Sequence, residues 1–567
     1  MLFLILNLKL TSTPHLMKKV CLLIAIVAIT SSINSGYSQD AKDIGLHAIT
    51  KSAVRGQLEF LASDWTEGRA TGQPGAYMAA DYIASLFKVY GLEPAGDMAS
   101  TRVSRADRMQ GKRPESYRTY YQSFNLIEYK SGDDQQLSLV NKSSEGTQTV
   151  NFAYQTDFSV RTSDVAIELE MPVVFVGYGY INEEAGYDDF KGLDVKGKII
   201  LCLSGYPGHE DKDSKAYEKI GNKSRWGLYR EKSKIASEKG AAAIIEVNPG
   251  SDVAEYWADN LPFRYNSGNY EGDVPRASYY DTRMKLPGDK ISGDPTRITV
   301  SDRVLSVLLE DADIDLEKFA EEVKNTLKPA SKQLPGKILK IKTSVDSKII
   351  RARNVVGVLP GKDTSEIIVI GGHYDHLGKH DGWVWNGADD NGSGTVGVMT
   401  IAKACMATGE KPEKTIVFAA WTGEEKGLLG SEYFANHPYD DAKMILNLNY
   451  DMISRDNKDD TLGVKCSMVY TKKYAVLKDL TVKNNEDYDL GLDVNFKPSS
   501  SPRGGSDHTS FAEKDVPVFY FMAGFPPEYH QPGDHLNLIN WDKMVNIIKV
   551  GYLNIWDLAN QEWGAEE

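Results

Sequence analysis

Between residues 354 and 522 the chain alternates short, almost unbroken apolar runs with stretches of helical periodicity. The runs 355–359, 367–370, 415–420, 444–448 and 518–522 consist almost entirely of Val, Ile, Leu, Phe, Met, Ala and Tyr. Apolar residues at consecutive positions, rather than at every second one, are expected of strands buried on both faces. Strand alternating with helix predicts a mostly parallel sheet flanked by helices on both sides, an α/β architecture. One of its helices is predicted over 395–406, directly after a glycine-rich turn.

The earlier part of the chain reads differently. Leu58, Leu61 and Ala62, then Ala79, Ile83, Leu86 and Phe87, recur at three-to-four spacing and predict helix, with the glycine-broken loop 67–72 between them. Residues 98–118 are polar and basic and read as a mobile loop. Further on, apolar runs at 173–176, 198–203 and 242–247 and a helical stretch at 231–239 suggest a small inserted α/β domain without a catalytic constellation. The expected division is a leader over 1–38, an N-terminal helical segment over 40–165 that completes the large domain, the small domain over 166–300 and the large α/β domain over 301–567.

Residues 1–38 carry no fold signal of their own. Met17-Lys18-Lys19, the apolar run 20–29 and the small and polar residues up to Ser38 follow the order of a secretory signal. Met17 is the better start, and a cut after Ser38 is expected. Ten apolar residues are too few to span a bilayer, so the expectation is export to the periplasm or beyond, without stable membrane insertion.

Composition narrows the partners. A chain of 567 residues that is 41% hydrophobic and 25% charged is a multidomain globular protein. Its formal net charge of −14 argues against nucleic acid, which needs a basic face, and more weakly against an anionic membrane. Nothing in the sequence specifies an oligomeric state. Cys202, Cys405 and Cys466 are too few and too far apart for a disulfide framework or a zinc cluster, and read as buried small hydrophobes. A metal would have to be held by His and carboxylates.

Those residues gather in the α/β region, which holds seven of the ten histidines after residue 370. The run 367–370 leads to His373 and Asp375, and the run 415–420 to Glu424-Glu425. The run 444–448 leads to Asp451, and 518–522 to a loop with His530; Asp389-Asp390 sits in the glycine-rich turn before the 395–406 helix. Sites in open α/β sheets form at the carboxyl ends of strands, which is where these groups lie. Two imidazoles and three carboxylates suit zinc, and five ligands suit two ions sharing one carboxylate rather than a single catalytic ion. Asp375, two residues beyond His373, can accept the other imidazole N–H. Adjacent residues at a strand end point to opposite sides. One of Glu424 and Glu425 is therefore expected to bind metal and the other to take a proton from water. The residues alone leave open which does which, and whether Asp389 or Asp390 is shared.

The ordered segments GGHYDHLG, NGADDNGSG, WTGEEKGLLGS, NYDM and YHQPGDH resemble the successive motifs of the co-catalytic zinc aminopeptidase family, which also contains glutamate carboxypeptidases, glutaminyl cyclases and transferrin receptors. The segment from Leu61 to Asp97 is similar to the N-terminal part of exported bacterial members, and the second region looks like their inserted protease-associated domain. The resemblance implies the zinc exopeptidase fold and two Zn2+ ions. Asp390 would bridge them, with His373 and Asp451 completing one site and Glu425 and His530 the other. Glu424 would be the general base, and the Asp390–Asn391 peptide cis. Asp375, Asp507 and His508 are expected to support the site, while His376, His380, His437 and His535 read as surface or packing residues. Trp383, Trp385, Phe525 and Tyr529 flank the motifs as pocket or core aromatics. The implied activity is removal of N-terminal residues from peptide substrates. A carboxypeptidase or dipeptidase seating a carboxylate on Arg455 or Arg503, or a glutaminyl cyclase, is the alternative. An intact ligand set counts against an inert, receptor-like relative.

Overall fold

The computed structural model describes residues 41–144, 146–247, 282–291 and 293–565. The leader expected over 1–38 lies outside these residues, as does the stretch 248–281 of the expected small domain.

The five apolar runs lie in the strands Val345–Leu359, Asp363–His373, Lys414–Trp421, Lys443–Tyr450 and Val518–Met522 of a ten-stranded sheet. Lys414–Trp421, Asp363–His373, Lys443–Tyr450 and Val518–Met522 lie side by side and run parallel. Both margins turn antiparallel. Val345–Leu359 and then Tyr121–Ser131 flank one side, while Lys465–Thr471 and Asp493–Ser499 flank the other. The sheet is therefore mixed overall, with its parallel part at the centre.

Side-chain alternation explains why the central runs are apolar throughout. Ile368 and Ile370 enter one core and Ile367 and Val369 another on the opposite face. The helices Lys51–Leu61, Pro74–Tyr90, Gly394–Ala407 and Trp541–Asn560 cover the first face; Leu429–Asn436 and His508–Ala512 cover the second. Pro74–Tyr90 has Pro at its start and Gly91 in the left-handed region at its end, so proline and glycine bound it where their backbone preferences fit. Its buried stripe of Ala76, Ala79, Ala80, Ile83 and Phe87 brings the N-terminal segment onto the large sheet.

Residues 98–118, read as a loop, instead form a small hairpin of Met98–Ser100 and Ser116–Arg118 around the helix Arg105–Met109. The N-cap serine at 104, whose hydroxyl accepts from the Asp107 N–H, starts that helix without an apolar face to announce it. The helix expected over 231–239 begins earlier, at Arg225, because Ser224 caps it in the same way.

A second, eight-stranded sheet carries the strands Glu168–Phe175, Ile199–Leu203, Ala243–Val247 and Thr296–Val300 in parallel. It reaches beyond the expected bounds of 166 and 300, since Gln136–Ser143, Gly146–Phe152, Phe158–Val160 and Lys332–Lys342 also belong to it. Lys332–Lys342 alternates buried and exposed positions, a half-polar pattern that gives no strong apolar run to read. Conversely Thr282–Lys285, inside those bounds, joins the large sheet as its outermost strand beside Tyr121–Ser131. No helix among the described residues is long and apolar enough to cross a membrane. Cys202, Cys405 and Cys466 are buried and free.

Candidate metal centre

The parallel strands end together. His373 closes Asp363–His373, Glu424 and Glu425 follow Lys414–Trp421, Asp451 follows Lys443–Tyr450, and the loop after Val518–Met522 returns with His530. Asp390 enters from the turn before Gly394–Ala407, where the Asp390–Asn391 peptide is cis. A positive φ and close neighbours make Gly387 obligatory in that turn. A Cβ there would lie 2.1 Å from the Asp390 carbonyl oxygen and 2.5 Å from the His376 ring.

The side chains form two adjoining sets. His373 Nε2 lies 3.5 Å from Asp451 Oδ1, 3.6 Å from Asp390 Oδ1 and 3.8 Å from Glu424 Oε2. His530 Nε2 lies 3.1 Å from Asp390 Oδ2 and 3.3 Å from Glu425 Oε2. The two oxygens of Asp390 thus face different histidines. Asp389 turns away and accepts from the Ser454 N–H and hydroxyl at 2.9 and 2.6 Å.

His376 is the main departure from expectation. Read as a surface or packing residue, it is buried in the site, with Nδ1 2.9 Å from Glu425 Oε1 and 3.9 Å from Asp390 Oδ2. Ligand atoms of His373, Glu424 and Asp451 lie within 4.8 Å of one another, and so do those of His376, Asp390 and Glu425. The signal was present in GGHYDHLG, where a second imidazole follows the first by three residues.

The surrounding groups orient this set. His373 Nδ1 faces the Asp375 main-chain oxygen at 3.1 Å; the carboxylate expected to support it lies 3.8 Å away. That carboxylate instead accepts from the Thr71 hydroxyl at 2.8 Å and the Glu424 N–H at 3.3 Å. Asp534, to which the motif reading gave no role, accepts from the N–H groups of Asp389 and Asp390 at 3.0 Å and so holds the turn. Asp507 is fully buried, and burial pushes its carboxyl up to about 7. His508 stacks on Tyr520 with ring centroids 4.5 Å apart, and burial lowers its imidazole to about 4, so it packs as a neutral ring.

Arg69 is another residue whose role the motifs did not show. Fully buried, it donates to the carbonyl oxygens of Tyr374 (2.7 Å), Leu61 (2.5 Å), Asn386 (2.6 Å) and Gly387 (2.8 Å). The N-terminal segment thereby braces both loops that carry His373 and Asp390. Replacing Arg69 with Met takes a donor from four carbonyls; Leu61 keeps the Thr66 hydroxyl and Gly387 the Gly392 N–H, so the loss falls on Tyr374 and Asn386, at ~1–3 kcal/mol for each carbonyl left unpaired. Allowing for partial relaxation, urea unfolding should show a loss of about 3–5 kcal/mol. A change below ~1 kcal/mol would contradict this account of the brace.

The charge balance favours a cation. Burial alone would lower the His530 imidazole, but Glu425 and Asp390 outweigh it and hold it at about 10. His373 is likewise held well above its usual range against burial, by Glu424, Asp451 and Asp390. Burial pushes the Glu424 carboxyl well above its usual range; His373 opposes this, and Asp507, Glu425 and Asp451 add to it. His530 Nε2 faces two buried carboxylates at once, Asp390 Oδ2 at 3.1 Å and Glu425 Oε2 at 3.3 Å. Imidazole and carboxylate ligand atoms gathered this closely fit a metal such as zinc.

The cleft above the site is walled by Met452, Gly505, Tyr520, Met522, Phe525 and Tyr529. Tyr529 stacks on His530 with ring centroids 3.9 Å apart, and Phe525 meets it edge-on at 5.0 Å. Trp385 is buried in the core and takes no part in the wall.

Fold and site together define an α/β protein with a candidate histidine–carboxylate metal centre at the carboxyl ends of its parallel strands. Residues 354–552 match the model of Peptidase family M28. Leupeptin-inactivating enzyme 1 of Streptomyces exfoliatus is 31% identical over 173 residues, which are 30% of this chain and 36% of that protein. Leucine aminopeptidase 2 of Trichophyton rubrum is 30% identical over 213 residues, 33% of this chain and 41% of that protein. The match therefore spans well under half the length of these curated relatives. The fold likeness is broader. The aminopeptidase from Aneurinibacillus sp. strain AM-1 covers 93% of this chain and 98% of its own at a TM-score of 0.54 and 19% identity.

Proposed function

We propose that the chain is a zinc-dependent exopeptidase that removes N-terminal residues from peptides and holds two zinc ions. The carrying observation is Asp390, whose Oδ1 faces His373 and whose Oδ2 faces His530. One ion would be held by His373, Asp390 and Asp451, the other by Asp390, Glu425 and His530, with His376 aligning Glu425. When bound, such ions polarise a peptide carbonyl and acidify water. Glu424, beside the first set and outside that ligand list, takes the proton of the attacking water and returns it to the departing amine. The excess of buried carboxylates favours a substrate's protonated α-amine, and Met452, Met522 and Phe525 offer apolar contact to its side chain.

Arg455 bears on the carboxypeptidase alternative. Its guanidinium is buried and paired with Glu528 at 2.5 Å, so its charge is already matched within the chain, and Arg503 is exposed. This supports amine rather than carboxylate recognition. The leader pattern at 1–38 supports export, and we assign the second sheet to a protease-associated domain on the strength of the sequence resemblance.

The test compares Leu-Gly-Gly with its N-acetylated form, with and without chelator. Cleavage of the free-amine peptide alone, abolished by chelator and restored by zinc, is the expected result. Equal cleavage of both peptides would reject amine recognition.

A further inference from the structure

The strand Thr282–Lys285 interrupts the second-sheet region. The chain leaves that sheet after Ala243–Val247, forms the outermost strand of the large sheet, and returns as Thr296–Val300. It pairs antiparallel with Tyr121–Ser131, from Thr282 against Lys130 to Lys285 against Ile127. Lys285 ties its far end through an ion pair of 2.5 Å to Asp164.

The near end meets the catalytic loop. Lys426 Nζ donates to the Thr282 carbonyl oxygen at 2.9 Å and to its hydroxyl oxygen at 3.0 Å. Lys426 is the residue directly after Glu424 and Glu425, in a tight turn. The N–H groups of Gly427 and Leu428 both donate to the Glu424 carbonyl oxygen, at 2.8 and 2.9 Å, and Leu429 donates to Gly423 at 3.0 Å. Glu424 N–H is held by Asp375. The turn is thus closed on the main chain of Glu424, and Lys426 is its half-buried strut to another part of the fold.

We propose that Lys426 is a positioning residue through which the strand Thr282–Lys285, and with it the second-sheet region, sets the orientation of Glu424 and Glu425. The proposal rests on the hydrolytic reading above. A carboxylate that must meet a proton within hydrogen-bond reach tolerates little displacement, since a shift of about 1 Å costs on the order of 10²-fold in rate. A strut serving only to hold the outermost strand in place would instead affect stability and leave turnover alone.

The experiment uses the full chain loaded with zinc and Leu-Gly-Gly as substrate. K426M is expected to lower kcat by about 10–100-fold with KM within roughly 3-fold and zinc content unchanged. K426R, which can still donate to the Thr282 carbonyl, should recover most of the loss. T282V removes only the hydroxyl acceptor and should cost about 3-fold, with K426M/T282V no worse than K426M, the non-additivity of one shared contact. Hydrogen exchange on the metal-free protein supplies a readout independent of catalysis, with the Gly427 and Leu428 amides expected to exchange about 10-fold faster in K426M. Wild-type kcat in K426M, or full additivity in the double variant, would overturn the proposal. If the wild-type chain cleaves no peptide, the hydrolytic reading fails; unchanged exchange at 427–428 then overturns the positioning role on its own evidence.

Discussion

Glu424→Gln is expected to lower kcat by about 10²–10⁴-fold, the usual worth of a positioned general base, while two zinc ions per chain remain bound. The exchange keeps the shape of the side chain and removes its ability to accept a proton. Its Oε2 stands 3.8 Å from His373 Nε2, close enough to the first ligand set to act on water there. The pH profile should report the same group. Burial pushes the Glu424 carboxyl well above its ordinary value, so the base is protonated and inactive at low pH and becomes competent as pH rises through the raised pKa. The acid limb of kcat/KM should therefore lie above the usual carboxylate range in the wild type and vanish from the residual activity of the variant. Loss of a zinc ion in Glu424→Gln would make Glu424 a ligand and sink the base assignment; more than about a tenth of wild-type kcat would do so equally.

Asp390→Asn should be at least as damaging by a different route. One carboxylate faces both histidines, so losing it weakens both sites. Zinc content should fall from two ions to one or none, and kcat by roughly 10³-fold or more, because several kcal/mol of charge stabilisation go with the ions. Thermal unfolding of wild type and variant, each with and without zinc, checks this independently of turnover. Zinc raises Tm only by binding the folded state more tightly than the unfolded one. The zinc-induced rise should accordingly shrink or disappear in Asp390→Asn. An undiminished rise, with two ions bound, would remove Asp390 from its bridging place.

Much of the centre was legible because its residues sit where local pattern can be read. His373, Glu425 and Asp451 each follow an apolar run of the parallel core, and a run buried on both faces carries a strong, continuous signal. The turn holding Asp390 announced itself through its glycines, of which Gly387 is required by close contact. The margins were harder to read. Tyr121–Ser131 and Lys332–Lys342 are half-exposed, so polar residues dilute their periodicity, and the second sheet extends beyond 166–300 through strands of this kind.

By itself, then, the sequence determined the α/β class, the central strands and the residue types gathered at their ends, because each depends on contacts between near neighbours in the chain. The tertiary structure alone decided how those residues face one another. It turned Asp390 rather than Asp389 toward the histidines, brought His376 from its expected packing role to Glu425, and put the Asp375 carbonyl rather than its carboxylate behind His373. It also set Arg69 under two loops more than 300 positions away and Lys426 against Thr282. Such contacts arise where distant segments are packed into one dry interior, and buried polar groups there must find whichever partner the packing supplies. No local periodicity encodes that choice.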